Sequence, residues 1–250
     1  LWRRGLFPTG ALVGITPSLT LTSGKPRHAG GVMVKSIRPP VPTGDATARY
    51  ERLTYAQPTW YDLMPTPANG TGTGFGAGVD WPRFDGAQAV TVGQPAKLAL
   101  TGNMSFVAWA SQDAGVTGFE VVMGRDGANR FIFSMNDTSG KPFVGLDIGG
   151  LKTVTGTVNT NDSAWHMIAT TYDGAKLKLY VDGTLNAELT AAGSADIDTP
   201  TNMDFGADLN ASPVPDDYLE GRIDTCRIYS RALSADEILR DYHAGKPAHP

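Results

Sequence analysis

From Val79 onward, glycines and Asp-Gly dipeptides cut the chain into short runs in which apolar and polar side chains alternate. A period of two sends successive side chains to opposite faces of an extended strand, and turns this frequent leave no room for long helices. The segment RFIFSM at 130–135 puts Phe131, Phe133 and Met135 on one face, and the stretch 143–148 does the same for Val144, Leu146 and Ile148. In KLKLYVD at 176–182, Leu177, Leu179 and Val181 point inward while Lys176, Lys178 and Tyr180 point outward. SFVAWA at 105–110 separates Phe106 and Ala108 from Val107 and Trp109. Asp126-Gly127, Asp173-Gly174 and Asp182-Gly183 stand beside these runs and are strong short-range hairpin signals. Strands at this spacing, without alternating helices, predict a mostly β chain folded as an antiparallel sandwich of the jelly-roll type.

One helix interrupts the pattern, from Ala235 to about His243. Ser234 and Glu237 form an S-x-x-E capping box, and Leu233 and Ile238 occupy the two positions of a hydrophobic staple. Gly245 and Pro247 supply the stop, and Ile238, Leu239 and Tyr242 clamp the helix to the sandwich.

The 250 residues include 30 glycines, 17 prolines and a single cysteine, Cys226. One cysteine excludes an intramolecular disulfide framework and a cysteine zinc cluster. No apolar run approaches the roughly 20 residues of a membrane helix, and residues 1–14 lack the pattern of a secretory leader.

Charge divides the chain. Residues 1–75 hold eight Lys or Arg against three acidic side chains, whereas the remainder holds thirteen against twenty-two. The basic part carries nine prolines between Pro8 and Gly78, which confines it to short edge strands, with 18–22 and 31–37 as candidates. It reads as an extended arm and linker, 1–75, attached to a domain over 76–250, with the Gly/Thr run at 69–78 as a flexible joint. Trp2, Arg3, Arg4, Arg38, Arg49, Arg52 and Trp60 are its candidate docking residues, by charge and aromatic character. The charges are scattered, with no helix or stacking platform beside them, so nucleic acid is not the expected partner.

Several segments resemble the laminin-G-like, concanavalin A-like lectin/glucanase superfamily. They are WHMIATTYDG at 165–174, LKLYVDG at 177–183, and GRID at 221–224 continuing to RIYSRALS at 227–234 and Glu237-Ile238. FDG at 84–86 and SFVAW at 105–109 resemble the first strands, so the resemblance spans about residues 80–243. It implies a jelly roll and leaves function open, since the fold hosts both lectins and glycosidases.

A retaining glycosidase needs two carboxyl groups about 5–5.5 Å apart. The E-x-D-x-x-E strand that supplies them in the hydrolases of this superfamily does not occur here, so an enzyme is not expected. The four histidines (His28, His166, His243 and His249) are scattered, and His166 sits where the resemblance places a structural strand. The resemblance also implies one Ca²⁺, with Asp85 and Asp224 as ligands if the first and last strands lie side by side. The loop 204–217, with Asp204, Asp208, Asn210, Asp216 and Asp217, is a second candidate ligand rim. Trp109 and Trp165 could stack on a sugar, though both fall in strand motifs where a core role is the plainer one.

Two functions are then expected. The favoured one is a non-catalytic structural or attachment protein, a jelly roll displayed by its arm on a larger assembly such as a phage-like virion surface. Its arm would dock on a shell or a sister subunit in a homo-oligomer. The alternative is an extracellular bacterial carbohydrate-binding module that recognises glycans.

Overall fold

The computed structural model describes residues 48–51, 59–62, 70–73, 83–125, 130–198, 202–209 and 215–249. The chain divides into two units, Leu1–Gly31 and Val32–Pro250, and all described residues belong to the second.

The strands follow in order as β1 (Ala48–Glu51), β2 (Thr59–Asp62), β3 (Gly70–Thr73), β4 (Arg83–Asp85), β5 (Ala89–Gly93) and β6 (Met104–Gln112). Next come β7 (Phe119–Arg125), β8 (Phe131–Asp137), β9 (Phe143–Asp147), β10 (Leu151–Thr155), β11 (Trp165–Tyr172), β12 (Lys176–Val181) and β13 (Thr184–Thr190). After β14 (Met203–Phe205), β15 (Asp208–Leu209), β16 (Pro215–Asp216) and β17 (Glu220–Tyr229) the chain ends in helix α1 (Ala235–Gly245) and a 3₁₀ turn, Lys246–Ala248.

Two antiparallel sheets form the sandwich. The first runs β13-β12-β11-β6-β17, and β1 and β4 share the remaining edge of the long strand β17. The second runs β10-β9-β8-β7-β14-β5-β3-β2, and β2 also pairs with β1, joining the sheets along one side. The connection between β12 and β13 shows how sequence sets this geometry. Asp182 (φ 50°) and Gly183 (φ 80°) both adopt left-handed backbone, the two-residue turn whose twist matches that of the flanking strands. The Asp126-Gly127 turn lies outside the described residues.

The inward faces are those the alternation predicts. Phe106 of the first sheet stacks on Phe131 of the second with centroids 4.0 Å apart, and Phe133, Val144, Leu146, Leu177 and Leu179 surround them, all buried. Tyr180 differs from its expected exposure, whereas Trp109 has the core role its strand motif implied. They face away from this core, yet both are buried, because α1 lies across the outer face of the first sheet and closes a second apolar cluster with Val107, Met167, Tyr229, Leu233 and Ile238.

The helix is held as its sequence requires. Ser234 Oγ accepts from the Glu237 amide, and the Glu237 carboxylate accepts from the Ser234 amide. Of the expected clamp, Ile238 is buried and Tyr242 packs against the same cluster, while Leu239 is 40% exposed and reaches Gly183; Asp241 and Gly245 complete the buried face. Gly245 does not act as a left-handed stop, since its φ is −85° and the helix runs through it. It lies against the Trp109 indole, which a Cβ at this position would strike.

Three short strands fall before residue 76. The β1 backbone pairs with 226–228, and Gly70–Thr73, expected in a flexible joint, is a strand between β2 and β5. An all-small Gly-Thr-Gly-Thr strand can slot between two neighbours without steric demand, and the two new ladders fix it. The candidate strands at 18–22 and 31–37 lie outside the described residues.

Candidate functional site

Among the described residues, the outer face of the second sheet is open over β9 and β10, whereas its outward Ile132 and Ser134 on β8 and Asp204 on β14 are buried. Opposite phases on β9 divide its side chains: Val144 and Leu146 enter the core, so Phe143, Gly145 and Asp147 face out. Leu151 on β10 pairs with Asp147, and its Cδ1 and the Phe143 ring both lie over Gly145, in space that a Cβ there would crowd. Phe119 from β7 contacts Phe143 edge-on at 5.4 Å. Phe119 and Phe143 are half-buried, Leu151 is 44% exposed, and the exposed Thr153 and Thr155 stand beside them on β10. The result is an aromatic and aliphatic patch edged by hydroxyls, with Gly145 as its floor. None of these residues was a site candidate from sequence, although the inward assignment of Val144 and Leu146 already fixed the outward one of Phe143.

Further along this face lie two of the acidic rim candidates. Asp204 on β14 sits opposite Gly124 of β7 and is fully buried; its Oδ1 accepts from Thr91 Oγ1 at 2.6 Å. Its Oδ2 has no hydrogen-bond partner among the described residues. Burial pushes the carboxyl up to about 6, against the pull of Thr91. Asp208, also fully buried, packs over Gly124 and pairs with Arg130 at 2.8 Å. The structure therefore brings Asp204 and Asp208 to the same stretch of β7. Asp216 pairs with Asp208 through the backbone, Asn210 lies outside the described residues, and Asp217 is exposed on a left-handed backbone of φ 50°.

Asp85 and Asp224 are not brought together. Asp85 is opposite Glu220 in the β4–β17 ladder, whereas Asp224 lies four residues farther along β17, at a bulge against β6. There its Oδ2 accepts from Thr225 Oγ1 and meets His249 Nε2 at 3.0 Å. Ca²⁺ takes six to eight oxygen ligands, and among the described residues no group of three or more His, Cys, Asp or Glu stands in a metal-holding arrangement. The Asp85–Asp224 pair does not fit the ion.

What Asp85 does join is an acidic end of the sandwich that the sequence reading left aside. Glu120 is buried, accepts from the Glu220 amide and feels the charges of Glu220, Asp113 and Asp217. Burial first, then these like charges, push its carboxyl up to about 7. Arg83 neutralises part of the cluster through a two-pronged pair with Asp113.

His166 has a structural task. Its Nδ1 lies 2.9 Å from Asp182 and its Nε2 3.2 Å from Asp162, which ties the start of β11 to the β12–β13 turn. Burial opposes its charge, but Asp182 and then Asp162 outweigh it and hold the imidazole above the ordinary histidine value. Trp109 and Trp165 lie on the α1 side, Trp109 only 2% exposed, so neither forms an open platform. Of the arm candidates, Trp2, Arg3, Arg4, Arg38 and Arg52 lie outside the described residues. Arg49 and Trp60 are placed by backbone pairing alone, opposite Arg227 and Gly70.

Comparison with known proteins agrees with this architecture. The family model of the concanavalin A-like lectin/glucanases superfamily matches residues 84–239. The chain belongs to that superfamily. No curated protein matches it. Among solved structures, it is similar to domain 4 of AbnA, an extracellular arabinanase from Geobacillus stearothermophilus, solved with arabinotriose. That match has TM-score 0.62 and 16% identity, and covers 79% of this chain and 98% of the other. The CBM40 of the Ruminococcus gnavus IT-sialidase, bound to α2,3-sialyllactose, matches with TM-score 0.56 at 15% identity over 64% of this chain and 95% of that one. The binding domain of Paraclostridial Mosquitocidal Protein 1 matches with TM-score 0.62 at 13% identity, over 80% of this chain and 52% of that one. This chain thus spans about half of that toxin domain. At these identities the likeness shows the fold. Among the described residues no helix is long and apolar enough to cross a membrane.

Proposed function

We propose that this jelly roll is a non-catalytic, extracellular glycan-binding module that holds its ligand on the outer face of the second sheet. The observation that carries the reading is the Phe119–Phe143–Leu151 patch beside Thr153 and Thr155. Ligand sites combine apolar and aromatic walls with a few placed polar groups, and a pyranose or furanose ring offers both a C–H face and hydroxyls. Exposed apolar patches on a sheet face are otherwise a solubility cost. The arabinotriose and sialyllactose bound by two structurally similar domains support the ligand class.

A glycan screen followed by titration calorimetry tests this. Phe143→Ala is expected to weaken the best ligand at least about tenfold, or about 1.4 kcal/mol, while Lys178→Ala on the other sheet leaves affinity unchanged. Absence of any millimolar ligand, or full binding by Phe143→Ala, rejects it.

Composition supports a second reading: display of the module on a larger, negatively charged assembly, such as a phage-like particle, by the basic proline-rich segment. A chain starting at Ala48, which keeps β1, with Arg49 and Arg52 also replaced by Ala, is then expected to stay folded, keep its glycan and lose co-sedimentation with the assembly. Normal incorporation would end that idea.

A further inference from the structure

The C-terminal segment occupies a built slot. After α1 the chain makes the 3₁₀ turn Lys246–Ala248 and returns His249, 4% exposed, to the outer face of the first sheet. Its ring stacks on the Trp109 indole at 4.0 Å and 6°, while Trp165 leans over it at 5.0 Å and 56°. At the ends of the ring, Nδ1 is 2.9 Å from the Gly245 carbonyl oxygen and Nε2 is 3.0 Å from Asp224 Oδ2. Both groups are acceptors when Asp224 is ionised, and only a ring with two N–H groups donates to both. The two indoles add the negative faces that attract a cation. Gly245 completes the wall, since any side chain there would enter the indole.

We infer that Trp109, Trp165, Asp224 and the Gly245 carbonyl form a binding site for a planar cation, and that His249 is its resident ligand. The site reads three properties at once: a flat ring for the indole, positive charge for Asp224, and a second N–H opposite the first for Gly245. An imidazolium meets all three, and a guanidinium presents the same flat, multiply donating cation. An arginine or histidine side chain of a partner polypeptide therefore competes for the slot whenever residues 246–249 leave it. The groups that contact the ring are Trp109 from β6, Trp165 from β11, Asp224 from β17 and Gly245 from α1. Asp224 brings a carboxylate to the ring. This inference stands apart from the glycan reading, which concerns the other sheet.

His249→Gly empties the slot while keeping the chain, and the probes are imidazole and thiazole, a neutral ring of the same size. At about pH 6, where imidazole is mostly protonated, imidazole is expected to shift the Trp109 indole N–H resonance saturably and to restore at least about half of the lost melting temperature. Thiazole is expected to bind at least about tenfold more weakly, and Asp224→Asn in the same background to abolish the difference. Equal binding of the two rings, or binding of neither, overturns the proposal. If His249→Gly does not fold, Asp224→Asn in the whole chain serves instead. The His249 amide, bonded to the Lys246 carbonyl at 2.9 Å, is then expected to exchange at least about tenfold faster while β17 amides keep their rates. Unchanged exchange at His249 overturns it equally.

Discussion

Asp241 and Arg227 are almost wholly withdrawn from water and lie 2.9 Å apart, a polar link from α1 into β17 that both partners bury. Burial pushes the Asp241 carboxyl up, and Arg227 pulls against it. Removing one partner strands the other charge, so Asp241→Ala is expected to cost about 3–5 kcal/mol in denaturant unfolding, whereas joint replacement by apolar residues of similar size costs far less. A loss below about 1 kcal/mol would show that water reaches Arg227. Glu120 gives a residue-scale prediction of opposite sign. Its carboxyl is raised from 4.5 to about 7 in the fold, so the folded state holds its proton more tightly than the unfolded chain. That advantage is complete below about 4.5 and is lost as pH rises through about 7. Glu120→Gln keeps an acceptor for the Glu220 amide and carries no charge. Its melting temperature is expected to match the wild type near pH 4.5 and exceed it at pH 8, by on the order of 2–3 kcal/mol of stability. Equal pH profiles would mean the carboxylate is solvated.

Elements show where local sequence signals suffice and where they do not. Helix propensity says Gly245→Ala adds up to about 1 kcal/mol of stability. Packing says the reverse, because the new methyl enters the Trp109 indole, and overpacking of this kind typically costs 1–3 kcal/mol. Thermal unfolding of Gly245→Ala decides between them, and a loss is expected. The capping box, the Asp182-Gly183 turn and the inward phases of β8, β9 and β12 were all legible, since each rests on residues within a few positions of one another. Gly245 was not, because its constraint comes from Trp109, well over a hundred positions away. The Asp85–Asp224 pairing failed for a related reason. Strand adjacency was foreseen correctly, but register across β4 and β17, and the bulge at Asp224, are set by long-range pairing that no local motif reports. Trp109 and Trp165 add to this: their strand motifs implied a core role, and the helix laid over the outer face of the first sheet supplies the core they pack in.

At the scale of the molecule, the sandwich draws on more of the chain than the superfamily match at 84–239 covers. β1 covers the edge of β17 beside β4, β3 covers the edge of β5, and β2 bonds to both, so these three strands close the seam between the sheets. An uncovered edge presents unpaired N–H and C=O groups to any other chain. Two truncations separate the parts. Starting the chain at residue 32 removes the unit Leu1–Gly31, and its melting temperature is expected to stay within about 3 °C of the full chain. Starting at residue 77 removes β1, β2 and β3 and strips the edges of β17 and β5. That chain is expected to melt at least about 8 °C lower and to self-associate in light scattering. If both truncated chains melt like the full chain, the seam contributes nothing and the superfamily core stands alone. If the chain from residue 32 already fails, the first 31 residues contribute to stability and are more than a docking arm.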